Sequence, residues 1–317
     1  PGKCILFGEH AVVYGHPAVA VAIDQGVRVS VEESDVWKLE GSPFEPSRHP
    51  HISHIIQNIF QYSGPPLDID VDSSLFSAAG MGSSAALSNA FGAAMFAYIN
   101  PGEELDTVKL AKIAHSAEAT AQKGRASPTD TATSALGGCL VVSGSEEHGT
   151  KHVFDTSLET PEGSREWSIN AVDIPLGIEG AWLVIGYSGI GSPTGRMVSK
   201  VAKLLSEVPE RMDAMETIAN ITRAGLAALS AGNLEGLGMA MDACHESLRK
   251  LEVSSDKLDQ MVYAARPHSL GAKLTGAGGG GCMVSLTREP TRVSEAIEVA
   301  GGRPLISSLG AQGVRLL

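Results

Sequence analysis

Aromatic residues make up only 5% of this 317-residue chain, and cysteine occurs four times. Cys4, Cys139, Cys244 and Cys282 form no C-x-x-C pair, and their spacings do not resemble a zinc site. They read as buried, reduced thiols, which points to the cytoplasm. Positive charge is also short. Lys and Arg number 24 against 36 Asp and Glu, a formal net charge of −12. Such a surface repels phosphate backbones, so no nucleic-acid partner is expected, although a local cationic pocket can still hold a small anion. Long hydrophobic runs are missing too. Ser73 to Gly102 carries no charge, but its first half is rich in Gly and Ser. Only residues 84–99 of it read as a helix, short of the roughly 20 apolar residues a membrane span needs. No membrane partner and no signal peptide are expected.

What is present is the composition of a globular chain, 43% apolar and 19% charged, of a length that suits about two domains. Strand patterns cover residues 4–7, 18–23, 26–34, 67–73, 137–144 and 181–187. Helical patterns cover 51–62, 84–99, a stretch from near Glu103, and then 196–207, 210–231, 233–249, 255–265 and 290–300. Residues 41–50 read as a loop, 145–170 as hairpins and loops, and "GVRLL" at 313–317 as a last strand. Strands and helices mix without strict βαβ alternation, so the expected class is α+β. A change of pattern near residue 175, with no flexible linker, predicts domains 1–175 and 176–317 with a cleft between them.

Two glycine-rich loops stand out. "SAAGMGSSAAL" (77–87) lies between a strand and the uncharged helix. Its backbone N–H groups can form an anion nest, and the helix start adds unpaired donors and the positive end of its dipole. Plain capping by Ser83 or Ser84 is the competing reading. No G-x-x-x-x-G-K-[ST] occurs, so this is not a P-loop. The Gly80-x-Gly82-x-x-Ala85 pattern lacks the acidic residue a dinucleotide fold wants. The second loop, "KLTGAGGGGC" (273–282), places four consecutive glycines between apolar runs, a pattern for backbone that must come very close to something.

"PGKCILFGEHAVVYG" (1–15), "GMGSSAAL" (80–87) and "KLTGAGGGGC" (273–282) together resemble, in order and separation, the three signature motifs of the GHMP kinases. "LFGEHAVVYG" and "GRASPTDTATSALGG" (124–138) are similar to the mevalonate kinase branch in particular. The resemblance covers nearly the whole chain. It implies an N-terminal domain of ribosomal-protein-like fold, a ferredoxin-like C-terminal domain, an active site between them, ATP and Mg²⁺ as cofactors, mevalonate as substrate, and a homodimer.

By the same resemblance, ATP lies on Ser77, Ala78, Ala79, Gly80, Met81, Gly82, Ser83, Ser84, Ala85 and Ala86. Asp130, otherwise a turn or N-cap aspartate, is implied as catalytic base, and Lys3 as the cation that polarises the acceptor hydroxyl. Ser84 and Glu118 are implied as Mg²⁺ ligands, oxygen donors of the kind that cation prefers. Glu9, His10, Thr194, Gly278 and Gly279 are implied on the substrate side. Two departures from the family pattern appear. Ser192 and Pro193 precede Thr194 where a basic residue is common, leaving Arg196 as the candidate for the substrate carboxylate. Phe76 stands where the phosphate loop usually begins with proline, which predicts a shifted start to an intact nest. Alternatives are another GHMP small-molecule kinase, a decarboxylase relative, or an inactive metabolite sensor. The sensor reading sits poorly with the retained Asp130 and Lys3.

Overall fold

The structure, a computed structural model, describes residues 1–124, 126–160, 163–175, 178, 180–192 and 194–317. Three sheets organise it. The first is five-stranded: β1 (Lys3–Phe7), β2 (Ala18–Ala22), β7 (Cys139–Ser143), β8 (Lys151–Thr160) and β9 (Gly163–Val172), in the order β1-β2-β7-β9-β8, all antiparallel. β2 and β7 are buried along their whole lengths, in keeping with their apolar sequences, which only Ser143 at the end of β7 interrupts. A second, smaller sheet holds β3 (Val27–Glu33), β4 (Lys38–Leu39), β5 (Ser42–Pro43) and β6 (Leu67–Ser73), in the order β3-β6-β4-β5. The expected loop at 41–50 thus contains one short strand.

The third sheet contains β10 (Trp182–Tyr187), β11 (Gly271–Thr275), β12 (Cys282–Thr287) and β13 (Arg303–Ser308), in the order β11-β12-β10-β13. With α5 (Thr194–Glu207), α6 (Met212–Ser230), α7 (Leu234–Lys250) and α8 (Asp256–Ala265) between β10 and β11, and α9 (Pro290–Val299) between β12 and β13, this is the antiparallel ferredoxin-like arrangement. The expected final strand at 313–317 is absent, and β13 takes its place. β13 hides from pattern reading because it is an edge strand carrying Pro304 and an irregular burial pattern. Proline is tolerated at such an edge, where a backbone donor is not needed. The tail beyond it runs back to the first sheet, where Ala311 N–H donates to Ala22 O (3.0 Å), and to the helix before β7, where Val314 N–H donates to Ala135 O (3.0 Å). The 145–170 stretch forms one long hairpin, β8–β9.

Among the described residues, four α-helices precede the third sheet: α1 (Pro50–His54), which runs on into a π turn at Ile55–Ile59, α2 (Ser83–Ile99), α3 (Thr107–Ala121) and α4 (Thr129–Leu136). α3 begins four residues later than Glu103, where the Asp106 carboxylate caps the Lys109 N–H at 3.0 Å. α2 packs against α3, α4 and β3, which explains its lack of charge. No helix among the described residues is long and apolar enough to cross a membrane. The main core runs from Cys4, Leu6 and Phe7 of β1 into β10, β12 and α6–α9 without a break. The residue expected to end the first domain, Pro175, is followed by Leu176, which lies outside the described residues, as does Pro193.

Candidate active site

The phosphate-loop candidate connects β6 to α2. Ala78 (φ 53°), Gly80 (φ 76°) and Gly82 (φ 73°) lie in the left-handed region, and this alternation turns successive N–H groups to one side, as in an anion nest. No side chain caps α2. Ser83 Oγ instead reaches Phe76 O at 3.5 Å, and Ser84 Oγ donates to Glu118 Oε1 at 2.6 Å. The first turn of a 17-residue helix is therefore left with free donors facing the nest.

Lys3 and Asp130 meet at this loop. Lys3 Nζ lies 3.1 Å from Asp130 Oδ1 and donates to Gly80 O at 3.0 Å, and its own N–H bonds to Met81 O at 2.9 Å. Lys3 is buried, and the Asp130 carboxylate is 40% exposed. Gly82 makes room for the pair. A Cβ there would sit 3.1 Å from Lys3 Cγ and 3.5 Å from Asp130 Oδ2, at a φ that side chains rarely adopt. Glu118, buried on α3, accepts from Ser84 Oγ, from Ser88 Oγ (2.9 Å) and from Gln122 Nε2 (3.0 Å). Ser88 and Gln122 escaped sequence reading. Each stands four residues on from Ser84 or Glu118, a helical spacing that could have found them.

The third glycine loop answers its own puzzle. All five of its glycines have positive φ. A Cβ on Gly278 would lie 2.1 Å from Val253 O, and one on Gly281 would lie 2.9 Å from Ala79 O of the phosphate loop. At these two positions the excluded volume is protein backbone, not open substrate space. The loop is the wedge between the two halves of the site. Ser192 completes the seam, donating from its N–H to Ala78 O (3.1 Å) and from Oγ to Gly278 O (2.7 Å). Phe76 stacks on Tyr187 of β10 with ring centroids 5.1 Å apart, and Arg303 sits over its ring at 4.9 Å. Here the start of the phosphate loop is held by aromatic stacking, at the position where the family pattern usually has proline.

On the other side of the seam, His10 is buried and its Nε2 bonds to Ala277 O at 2.9 Å. Burial lowers its pKa, so the ring is neutral and Nε2 is the donor in this bond. Glu9 is fully buried against Lys273 Nζ, a partner that sequence reading missed. Thr194 begins α5 and is exposed, as is Arg196, which has no hydrogen bond or ion pair to a described residue. α5 reaches the seam through Met197, whose sulfur packs at Gly279.

Residues 50–138 match the GHMP kinases N terminal domain, and residues 226–303 match the GHMP kinases C terminal domain. The mevalonate kinase of Pyrococcus horikoshii is 33% identical over 350 aligned positions, which cover 100% of this chain and 96% of that one. The chain belongs to the mevalonate kinase family. A second member, from Methanothermobacter thermautotrophicus, is 34% identical over 90% of this chain and 88% of its own length. Among solved members of the family, that of Methanococcus jannaschii superposes with a TM-score of 0.77 at 26% identity, covering 98% of this chain and 96% of that one. An L. major mevalonate kinase in complex with R-mevalonate gives a TM-score of 0.79 at 22% identity, over 99% and 95% of the two chains, and shows the same fold.

Burial shapes the histidines of this family member beyond His10. His51 and His115 are held below their usual pKa chiefly by desolvation, and His245, fully buried, falls to about 4. Lowered values mean that the unfolded chain binds more protons than the folded one, so stability rises with pH up to the unfolded value near 6.5 and is lost below it. We expect thermal midpoints to be flat from pH 8 to 7 and to fall steadily from about pH 6.5 toward 4, His245 alone costing roughly 3 kcal/mol by the end. Calorimetric scans across that range check it. A midpoint unchanged from pH 7 to pH 5 would refute the assignment of neutral buried imidazoles.

Proposed function

We propose that the protein transfers the γ-phosphoryl group of ATP to the 5-hydroxyl of mevalonate, yielding 5-phosphomevalonate for isoprenoid synthesis. The observation that carries this reading is the Lys3 ammonium, which bridges Asp130 and the Gly80 carbonyl of the phosphate loop. One cation thereby links the proton acceptor to the loop that would hold the triphosphate. The 5-hydroxyl proton passes to an Asp130 carboxylate oxygen, the freed oxygen attacks the γ-phosphorus, and ADP leaves with the electron pair of the broken P–O bond. Lys3 stabilises the developing alkoxide. Catalysis here is positioning and charge neutralisation, which phosphoryl transfer mainly requires.

Ser84 and Glu118 fit Mg²⁺: they offer hard oxygen donors beside the nest, 2.6 Å apart. No group of three or more His, Cys, Asp or Glu that could hold a metal occurs among the described residues. Such a sparse protein shell suits a cation that keeps water and phosphate oxygens as most of its ligands. When bound, the cation neutralises the β- and γ-phosphates. On the acceptor side, His10, Thr194, Gly278, Gly279 and Arg196 are the proposed contacts, with Arg196, exposed and without an ion pair to a described residue, the candidate for the carboxylate. Four free, buried cysteines agree with a reducing compartment, the cytoplasm. The homodimer implied by the resemblance belongs to the same proposal.

The test is ADP release against mevalonate, phosphomevalonate, homoserine and galactose, with phosphorus NMR to locate the new ester. Turnover on mevalonate alone, with phosphate on the primary hydroxyl, is the expected result. ATP binding without turnover on any of the four would overturn it and leave a metabolite sensor.

A further inference from the structure

We propose that Glu9 and Lys273 form a positioning pair that sets the acceptor side of the site, and that Glu9 itself does not touch substrate. The inference rests on the mevalonate kinase reading above. β1 and β11 belong to different sheets, yet these strands and the residues just after them are joined at three points. Thr275 Oγ1 accepts from Ile5 N–H at 2.8 Å and donates to Ile5 O at 3.0 Å. Lys273 Nζ bonds the Glu9 carboxylate, and His10 Nε2 bonds Ala277 O. Together these ties fix the turn after β1 against the strand that leads into the third glycine loop.

That turn needs fixing. Gly8 has φ 90°, and a Cβ there would lie 2.2 Å from Pro17 O; His10, with a full side chain, has φ 61°. Left-handed backbone at a non-glycine residue persists only where its surroundings over-determine it. Glu9 sits between these two residues. Both of its oxygens are occupied within the protein, one by Lys273 and the other within 3.9 Å of Cys244 Sγ, and neither Glu9 nor Lys273 exposes any side-chain surface. No face of Glu9 is left for a ligand, so it acts through its neighbour His10. Stability alone does not call for such a pair, since well-packed apolar side chains of similar size commonly replace a buried ion pair at no cost. Its location between two loops of the candidate site supplies the reason.

The decisive protein is the double variant Glu9→Met with Lys273→Met, which removes both charges and leaves no polar partner alone in the core. We expect a melting temperature close to that of the parent. The KM for mevalonate should rise about tenfold or more and kcat should fall by a similar factor, because sub-ångström misplacement at a reacting centre is costly. The KM for ATP should stay within about twofold, since the phosphate loop has its own ties to Lys3 and Ser192. If the double variant fails to fold, Glu9→Asp keeps the charge and shortens the tie. It should raise the KM for mevalonate selectively, and adding Lys273→Arg, with its longer reach, should restore part of it. Parental constants for mevalonate in a folded variant would overturn the proposal, as would an equal rise in both KM values. A parent enzyme inactive on mevalonate would instead count against the proposed function, so the two failures are distinguishable.

Discussion

Asp130→Ala is expected to lower kcat by about 10²–10⁴-fold, the usual range for loss of a positioned general base. The KM for ATP should change little, because among the described residues no nest backbone group bonds this carboxylate and Lys3 holds Gly80 O by its own bond. Asp130 lies in the first turn of α4, where its carboxylate is 40% exposed and open to an incoming hydroxyl, while Lys3 holds it from the buried side at 3.1 Å. The variant takes the counter-charge from the buried Lys3 ammonium, so it should fold but melt several degrees below the parent. Lys3 would keep its bond to Gly80 O. Asp130→Asn should be nearly as slow, since the amide preserves shape and removes the proton acceptor. Single-turnover phosphorylation of mevalonate separates the chemical step from product release. Retention of more than a tenth of the parental single-turnover rate in either variant would rule Asp130 out as the base.

The parts of the site that lie within signature motifs were legible because their chemistry is local. The alternating left-handed residues of 78–82 need glycine or small side chains in sequence, so the nest announces itself. Contacts between distant segments were not legible. Glu9 looks like a wall residue until β11 brings Lys273 to it across 264 positions. The signal available was one lysine inside an apolar strand, which demands a buried counter-charge without naming it. β13 was missed for a different reason. An edge strand with a proline and half-buried side chains has neither alternation nor a continuous apolar run. The glycines of the third loop were legible as a close approach, but at Gly278 and Gly281 what they approach is Val253 and Ala79, which only the tertiary structure supplies.

If Glu118 ligates Mg²⁺ as proposed, Glu118→Gln should show the second large effect, a fall in kcat/KM for ATP of about 10²–10³-fold together with a raised requirement for Mg²⁺. The substitution preserves volume, and the hydroxyls of Ser84 and Ser88 can turn from donating to accepting, so the buried site stays satisfied. Ser84 and Ser88 then separate ligation from support. Both donate to Glu118 Oε1, but Ser84 is exposed at the start of α2 beside the nest, whereas Ser88 is buried one turn further in. Ser84→Ala should therefore share the altered Mg²⁺ dependence, and Ser88→Ala should leave it almost unchanged while lowering the melting temperature slightly, by the loss of one hydrogen bond worth about 1 kcal/mol. Titrating Mg²⁺ at fixed ATP in all three variants reads this directly. If Ser88→Ala shifts the Mg²⁺ dependence as far as Ser84→Ala does, the two hydroxyls serve only to position Glu118. If Glu118→Gln behaves as the parent at every Mg²⁺ concentration, the carboxylate is structural, and the cation is held by the phosphates and groups other than α3.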